Sequence, residues 1–403
     1  MIKAAVLGYG TVGSGVVEVL HKNKDIIAKR VGQEIEVKYI LDLRDFPGDP
    51  FEDKVVHDVN VILEDPEISI VCETMGGTKP AYQFTKDALL KGKSVCTSNK
   101  ELVASYGPEL LQIAAQNNCS YLFEASVGGG IPIIRPMNTC LAPENIVKIK
   151  GILNGTTNYI LHQMIENGKT FEEALKEAQD NGFAEKNPAA DVEGHDACRK
   201  IAILASLAGG QFVDYKDIPT EGITNITAED VKYAGKLGYS IKLIGYLKDM
   251  DEIKPGKIYS IVAPMFVKKD CPLSDVNGVF NAIMITGDSV GDVMFYGRGA
   301  GKLPTASAIV ADIIDSVKHV ARSKKIQWVM PETDIMYPVE EAEFKYFVRV
   351  RDNGAISEFE PETEISDVVP GEVGIITKTM KESEIEALKQ KLGDKISVLR
   401  ILD

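Results

Sequence analysis

The 403-residue chain contains no apolar stretch long enough to span a bilayer, which argues against a helical membrane protein. It is also short of cations: 45 Lys and Arg stand against 59 Asp and Glu, a net charge of −14. A wide surface for nucleic acid or anionic membrane is therefore not expected, and only local basic pockets stay open. Six cysteines occur, Cys72, Cys96, Cys119, Cys140, Cys198 and Cys271, none paired as C-x-x-C. Several sit in apolar runs such as IVCET and KSVCTS, so they are expected to be reduced, buried, small hydrophobes of an intracellular protein. The five histidines (His21, His57, His162, His195 and His319) show no metal-ligand spacing with Cys or acids. His195 is expected to pack or to hydrogen-bond. There is no plausible Ser/His/Asp arrangement, no low-complexity tract and no long repeat. A strand beginning at Ile2 leaves no signal peptide to expect, and cytoplasmic residence follows as the default.

What the chain has is ordinary globular material. Hydrophobic residues make up 44% and charged residues 26%, enough to bury a core without staples, and the length suggests two or three domains. Residues 2–7 (IKAAVL) have the texture of a buried parallel strand, followed by GYGTVGSG and a helix through about residue 31. A second strand covers 35–43. Strands and helices then alternate through EISIVCET, KPAYQFTKDALLKG, KSVCTS, ELLQIAAQNN and SYLFEA. That alternation predicts an α/β, Rossmann-type doubly wound parallel sheet over residues 1–136. From Ile146 the pattern changes. VKIKGIL suits a strand, TTNYILHQMIENG a helix closed by Gly168, and TFEEALKEAQDNG a helix between Thr170 and Gly182. Strand-rich runs over 240–300 predict a mostly antiparallel sheet with helices packed on it. An α+β domain is thus expected at 137–330, its helix 304–319 able to pack back on the first domain; its catalytic and dimerisation roles rest on the resemblance given below. A polar linker from about Gln327 to Glu343 leads to a small α+β module at 343–403.

Gly8, Tyr9, Gly10, Thr11, Val12 and Gly13 form G-x-G-x-x-G between a strand and a helix. Such a turn lets backbone approach a pyrophosphate and aims a helix N-terminus at it; a purely structural glycine turn is the alternative. At the end of the second strand Asp42 would favour the 2′-hydroxyl of NAD, whereas Arg44 would favour the 2′-phosphate of NADP, and Arg44 with Asp45 could also be a surface pair. Lys100 falls at the carboxyl end of a strand, where the nicotinamide end of a cofactor would lie, or else is an exposed lysine at a helix start. In residues 124–132 (EASVGGGIP) one carboxylate and inward carbonyls would suit a hard cation such as sodium or potassium; a flexible hinge is the plainer alternative. Gly155, Thr156, Thr157 and Asn158 open a helix whose amides and hydroxyls could hold a carboxylate or simply cap.

Residues 182–200 (GFAEKNPAADVEGHDACRK) concentrate Glu185, Asp191, Glu193, Asp196, Arg199 and Lys200 ahead of an apolar helical run. Charges of both signs are costly to bury unless paired or ligand-bound. Acids beside an ammonium in a cleft would receive a zwitterionic ligand; a solvated loop leading into an amphipathic helix is the alternative. Asp196 and Lys200, four apart, would share one helix face.

Together and in this order, GYGTVG (8–13), ETMGG (73–77), TSNK (97–100), FEASVGGGIPII (123–134), GILNGTTNYIL (151–161), the charged segment and GRGAGKLPTASAIVAD (297–312) resemble the homoserine dehydrogenase family over about residues 1–330. The resemblance implies interconversion of L-aspartate 4-semialdehyde and L-homoserine with NAD(H) or NADP(H), in threonine, methionine and isoleucine biosynthesis. It implies Lys200 as proton donor and Lys100 beside nicotinamide and substrate. Glu185 would bind the substrate amino group, with Asp191, Asp196, Gly155 and Thr156 shaping the pocket. Gly301 and Arg44 would join the glycine turn at the cofactor, and the resemblance leans the preference toward NADP. Glu124, Val127, Gly129 and Ile131 match monovalent-cation positions, and a homodimer is expected. The 343–403 module resembles an ACT domain, a βαββαβ unit, but RVRDNGAISEFEPETEISDV lacks a clear first helix, which leaves control by threonine open. Two other readings stay open: a related amino-acid or semialdehyde dehydrogenase, and a non-catalytic amino-acid-sensing regulator. The sharpest expectation is that Lys100 and Lys200 converge at one crevice.

Overall fold

The computed structural model describes residues 1–319, 326, 328–351 and 353–403. The start of the expected linker, Gln327, lies outside the described residues. The chain divides into two compact units, each assembled from separate stretches: residues 1–145, 202–214 and 295–332 in the first, and 146–201, 215–294 and 333–403 in the second.

The first unit begins with β1 (Ile2–Leu7), α1 (Thr11–Lys22), α2 (Lys24–Val31), β2 (Ile35–Leu41), β3 (Val55–Val56), α3 (Asn60–Leu63), β4 (Ile68–Glu73), α4 (Ala81–Leu90), β5 (Ser94–Thr97), α5 (Lys100–Gln116), β6 (Tyr121–Leu122) and α6 (Ile134–Thr139). The helix expected through residue 31 is two helices, separated at Asn23, a residue that readily leaves helical geometry. The strands form one parallel sheet in the order β3-β2-β1-β4-β5-β6. The direction of winding reverses between β1 and β4, and in such sheets ligands sit beyond the strand carboxyl ends at that point. Near-continuous apolar strands are what two covered faces require: Val6, Ile40, Ile70 and Cys72 are buried with Val16 and Val17 of α1. A later helix, α12 (Lys302–Lys318), adds Ala306, Ile309 and Ile313 to the same core. It lies so close to α1 that a Cβ at Gly15 would stand 2.9 Å from the Lys302 carbonyl.

The second unit holds β7 (Ile146–Ile152), α7 (Gly155–Asn167), α8 (Phe171–Asp180), α9 (Ala189–Val192), the start of α10 (His195–Gly209), α11 (Ala228–Leu237), β8 (Tyr239–Asp249), β9 (Ile258–Lys268), β10 (Phe280–Gly287) and the start of β11 (Gly291–Arg298). Its last stretch is β12 (Glu343–Val350), a 3-10 turn (Asn353–Glu358), β13 (Pro361–Ile365), β14 (Val373–Thr377), β15 (Met380–Lys381), α13 (Glu382–Leu392) and β16 (Ile396–Ile401). Helix ends follow their punctuation. Gly168 closes α7 with φ 63°, and Thr170 opens α8 in a reciprocal capping box with Glu173. The strands run β11-β10-β7-β8-β9-β16-β12-β14-β13, antiparallel through β10, β7, β8 and β9. β16 pairs in parallel with β9 (Arg400 beside Met265), so the 343–403 segment continues this sheet. A 3-10 turn stands where the sequence lacks a clear first helix.

Among the described residues no helix is long and apolar enough to cross a membrane. All six cysteines are free; Cys140 is exposed and Cys271 half-buried, which corrects the expectation that every one is buried.

Candidate active site

The glycine turn leaves β1 at Gly8 (φ 92°). Gly10 stands at the N-cap of α1 with no side-chain cap, and the first turn, which carries Thr11 and Val12, holds no acid. Its N–H groups and positive dipole end are therefore left for an anion from outside. A Cβ at Gly13 would lie 1.9 Å from the Gly8 carbonyl oxygen and 2.8 Å from Thr74 Oγ1, so the turn is closed too tightly for any other residue. Tyr9 N–H donates to Asp42 Oδ2 (2.8 Å), tying the turn to the end of β2. The two residues that point to different cofactors are themselves an ion pair. Arg44 Nε and Nη2 each lie 3.0 Å from an Asp42 oxygen, and the guanidinium holds that carboxyl well below the usual carboxylate range. Arg44 stays 63% exposed over its partner. Gly301 (φ 118°) is the N-cap of α12.

Lys100 is the first residue of α5, half-buried, directly after β5. The carboxyl ends of β4 and β5 beneath it are cross-braced. Glu73, fully buried, accepts from Thr97 Oγ1 and Met75 N–H at 2.7 Å each; burial pushes its carboxyl up, opposed by these donors. Asn99 caps α5 through Leu102 N–H (3.0 Å) and donates to the Gly77 carbonyl (2.6 Å).

The Glu124 carboxylate is engaged by main-chain donors. It accepts the N–H groups of Ile133 (2.6 Å), Ile134 (2.8 Å) and Arg135 (2.8 Å), filling the orphan donors at the start of α6. Behind it, buried Asp312 accepts the Glu124 N–H (2.8 Å) and Arg135 Nη2 (2.5 Å). Burial and the Glu124 charge push Asp312 up to about 7, against the pull of Arg135. With that carboxylate engaged, main-chain oxygens are what Glu124, Val127, Gly129 and Ile131 could offer a cation. Gly129 (φ 56°) comes so close to the 299–300 turn that a Cβ would lie 2.1 Å from the Gly299 oxygen. Among the described residues no group of three or more His, Cys, Asp or Glu could hold a metal ion.

In the second unit the charged segment is gathered around Asn154, the N-cap of α7. Its Oδ1 accepts Thr157 N–H (2.8 Å), which turns Nδ2 toward Asp191 Oδ1 (2.7 Å) and Asp196 Oδ2 (2.9 Å). Asp196 and Lys200 share a face of α10 as expected, with Lys200 Nζ 2.8 Å from Asp196 Oδ2 and 2.7 Å from the Leu153 carbonyl. Asp196 is 2% and Lys200 8% exposed, so this is a buried ion pair with neutral hydrogen-bond support, the condition under which burial of charge is tolerable. Asp196 also lies in the first turn of α10, where the helix dipole favours an anion. Glu185 is exposed on the loop between α8 and α9. Gly155 approaches the Val279 carbonyl too closely for a side chain (2.8 Å to an added Cβ), while the Thr156 hydroxyl donates to the Phe183 carbonyl (2.7 Å). The threonine therefore ties the loop before the acids to α7. His195 is exposed and pairs with Glu193 (3.2 Å).

Sequence reasoning passed over Asn154 and Asp312. Asn154 stood inside the quoted run GILNGTTN, and a helix N-cap facing two acids was the available signal. Asp312 offered none, since its partners are 177 and 188 positions away.

An uncapped, acid-free helix start at the switch point of a parallel sheet fits a dinucleotide, and the buried ammonium of Lys200 on α10 fits charge developing on a substrate oxygen. The class is a nucleotide-linked oxidoreductase. Residues 8–124 match the family model "Homoserine dehydrogenase, NAD binding domain" and residues 132–314 the model "Homoserine dehydrogenase". The homoserine dehydrogenase of Bacillus subtilis is 43% identical over 326 residues, 79% of this chain and 73% of that one. That of Neisseria gonorrhoeae is 36% identical, covering 97% of this chain and 88% of its own. The solved homoserine dehydrogenase of Thiobacillus denitrificans superposes with a TM-score of 0.91 at 33% identity, over 100% of this chain and 98% of that one. A hyperthermophilic archaeal homoserine dehydrogenase in complex with NADPH superposes at 0.64, with 29% identity over 78% of this chain and 97% of its own. The chain belongs to the homoserine dehydrogenase family.

Proposed function

We propose that this homoserine dehydrogenase interconverts L-aspartate 4-semialdehyde and L-homoserine with Lys200 as the group that protonates the aldehyde oxygen. The observation that carries this reading is the buried Lys200–Asp196 pair tied through Asn154 to Asp191. The bound dinucleotide supplies the hydride. Negative charge then grows on the substrate oxygen, where a fixed ammonium shielded from water stabilises it and passes its proton. In the other direction the neutral amine takes the proton of the alcohol. Asp191, Asp196 and Glu185 receive the substrate ammonium, with Gly155 and Thr156 shaping the loop beside them. Lys100 serves the nicotinamide end of the cofactor site.

Finer readings belong to the same proposal. NADP is preferred over NAD, because Arg44 neutralises Asp42 and is itself exposed for a 2′-phosphate. A sodium or potassium ion is held by main-chain oxygens of Glu124, Val127, Gly129 and Ile131. The chain works in the cytoplasm as a homodimer, its second copy covering a 760 Å³ depression on the second unit's sheet lined by Tyr246, Tyr259, Phe344 and Leu402. The segment 343–403 acts as an ACT-like module, supported by the antiparallel order β16-β12-β14-β13 with α13 before β16. Lys200→Ala tests the core of the proposal. Turnover of homoserine is expected to fall by about 10² to 10⁴, with NADPH binding followed by fluorescence unchanged. Near-wild-type turnover would remove Lys200 from the role.

A further inference from the structure

The C-terminal strand places a buried cation where the mechanism does not use one. Arg400 of β16 is 5% exposed. Its Nε and Nη2 hold the two oxygens of Glu382, the first residue of α13, at 2.5 and 3.0 Å. That fork alone neutralises it. Its remaining arm, Nη1, reaches Glu221 Oε1 at 2.8 Å.

Glu221 lies in a short strip laid along β9. The Glu221 N–H donates to the Val262 carbonyl (2.7 Å), and the Val262 N–H donates to the Pro219 carbonyl (2.9 Å). The other side of the strip is pressed on the turn between α9 and α10. A Cβ at Gly222 would lie 2.3 Å from the Val192 oxygen and 2.6 Å from Glu193 Cα, and Ile223 N–H donates to that same Val192 oxygen (2.8 Å). Gly194 (φ 85°) returns the contact: a Cβ there would stand 3.0 Å from Thr220 Cγ2 and 3.3 Å from the Glu221 oxygen. The Gly194 carbonyl accepts the Cys198 N–H (2.9 Å) in the opening turn of α10. Residues 192–194 thus carry Asp191 on one side and Asp196 and Lys200 on the other, and backbone contact this close transmits small shifts because packed groups deform little.

We infer that Arg400, acting through Glu221, is a positioning residue for the substrate-binding acids: the C-terminal segment sets the placement of the 191–200 segment through one ion pair and one strip of backbone. Arg400 and Glu221 touch neither substrate nor cofactor in this scheme. The inference rests on the reading of Asp191, Asp196 and Lys200 as the substrate site.

Glu221→Ala is the direct test, because Glu221 is exposed and its loss leaves the Arg400–Glu382 fork intact. The full-length variant is assayed with homoserine and NADP. The expected result is a KM for homoserine raised about tenfold, a cofactor KM within twofold of wild type and an unchanged thermal midpoint. Glu221→Gln, which can still accept from Nη1, is expected to restore most of the homoserine KM. An unchanged homoserine KM in Glu221→Ala overturns the inference, as does an equal rise in both KM values with a lowered midpoint, which marks general loosening. The site reading fails separately, through wild-type turnover in Lys200→Ala, and its failure takes the inference with it.

Discussion

Asn154→Asp preserves the shape of the residue that ties the second unit's acids together and reverses one dipole. The new carboxylate can still accept Thr157 N–H and cap α7, since Asp caps as well as Asn. On its other side, donors 2.7 Å from Asp191 and 2.9 Å from Asp196 become an acceptor. Two hydrogen bonds to ionised oxygens disappear, about 1.5–3 kcal/mol each. Like charges at that spacing repel by about 6 kcal/mol per pair at an effective dielectric near 20, part of which the Lys200 ammonium offsets. Proton uptake by one of the three carboxyls is the least costly escape, so the cluster's apparent pKa rises. The hydrogen-bond loss alone, about 3 kcal/mol, corresponds to roughly a hundredfold in kcat/KM at about 1.4 kcal/mol per decade. The assay is NADPH formation from homoserine between pH 6 and 9, with Asn154→Ala beside it. The alanine variant also loses the cap, about 1 kcal/mol of stability, but adds no charge. Its deficit is expected to be flat with pH, whereas that of Asn154→Asp deepens toward pH 9. Wild-type kcat/KM in Asn154→Asp would refute the view that Asn154 orders the two acids. A deficit equal at every pH would refute the electrostatic part.

Arg44→Ala is expected to raise the KM for NADP at least tenfold while leaving that for NAD within threefold, read from steady-state rates with each cofactor; equal effects on both would detach Arg44 from the 2′-phosphate. Gly13→Ala forces a methyl to 1.9 Å from a carbonyl oxygen, so nucleotide affinity is expected to fall beyond detection by fluorescence titration while the second unit's sheet persists by circular dichroism. Asp312, at about 7 in the folded chain against about 3.9 unfolded, binds its proton more tightly when folded. Its contribution to stability is therefore present below about pH 4 and lost as pH rises through about 7. Over pH 5 to 7 the loss amounts to about 2–3 kcal/mol. Urea unfolding should show that fall in the wild type and a flatter profile in Asp312→Asn; parallel profiles would contradict it.

Much of the fold was legible because it is written in local periodicity. The apolar runs at residues 2–7 and 68–73 alternate with helices at close spacing, and only a parallel, doubly covered sheet accommodates that pattern. Gly168 and Thr170 marked helix ends through their own backbone chemistry. What local pattern does not encode is partnership between distant segments. The apolar face of residues 302–318 identifies a helix able to pack back on the first sheet, but how closely it can do so depends on Gly15, where an added Cβ would stand 2.9 Å from the Lys302 oxygen. The pairing of β16 beside β9, which makes the last segment part of the larger sheet, likewise rests on two register pairs with no signature in either strand.

The site was legible where charge announced it and obscure where neutral or backbone groups act. Asp191, Asp196 and Lys200 stood out as acids and an ammonium too concentrated for a core. Buried carboxylates, however, need donors as well as an opposite charge. Asp191 and Asp196 have lone pairs beyond those an ammonium can satisfy, which something uncharged must fill, and that reasoning, applied to the run just before α7, leads to Asn154. Glu124 shows the converse. A carboxylate beside three glycines has the composition of a hard-cation site, but the peptide groups at the start of α6 also claim it, since three unpaired N–H groups in a dry interior are costly. A carboxylate shortly before a helix therefore has to be tested against that helix's orphan donors before it is assigned to a metal. By that test Glu124 belongs to α6 through its side chain and has only its main-chain oxygen to offer an ion.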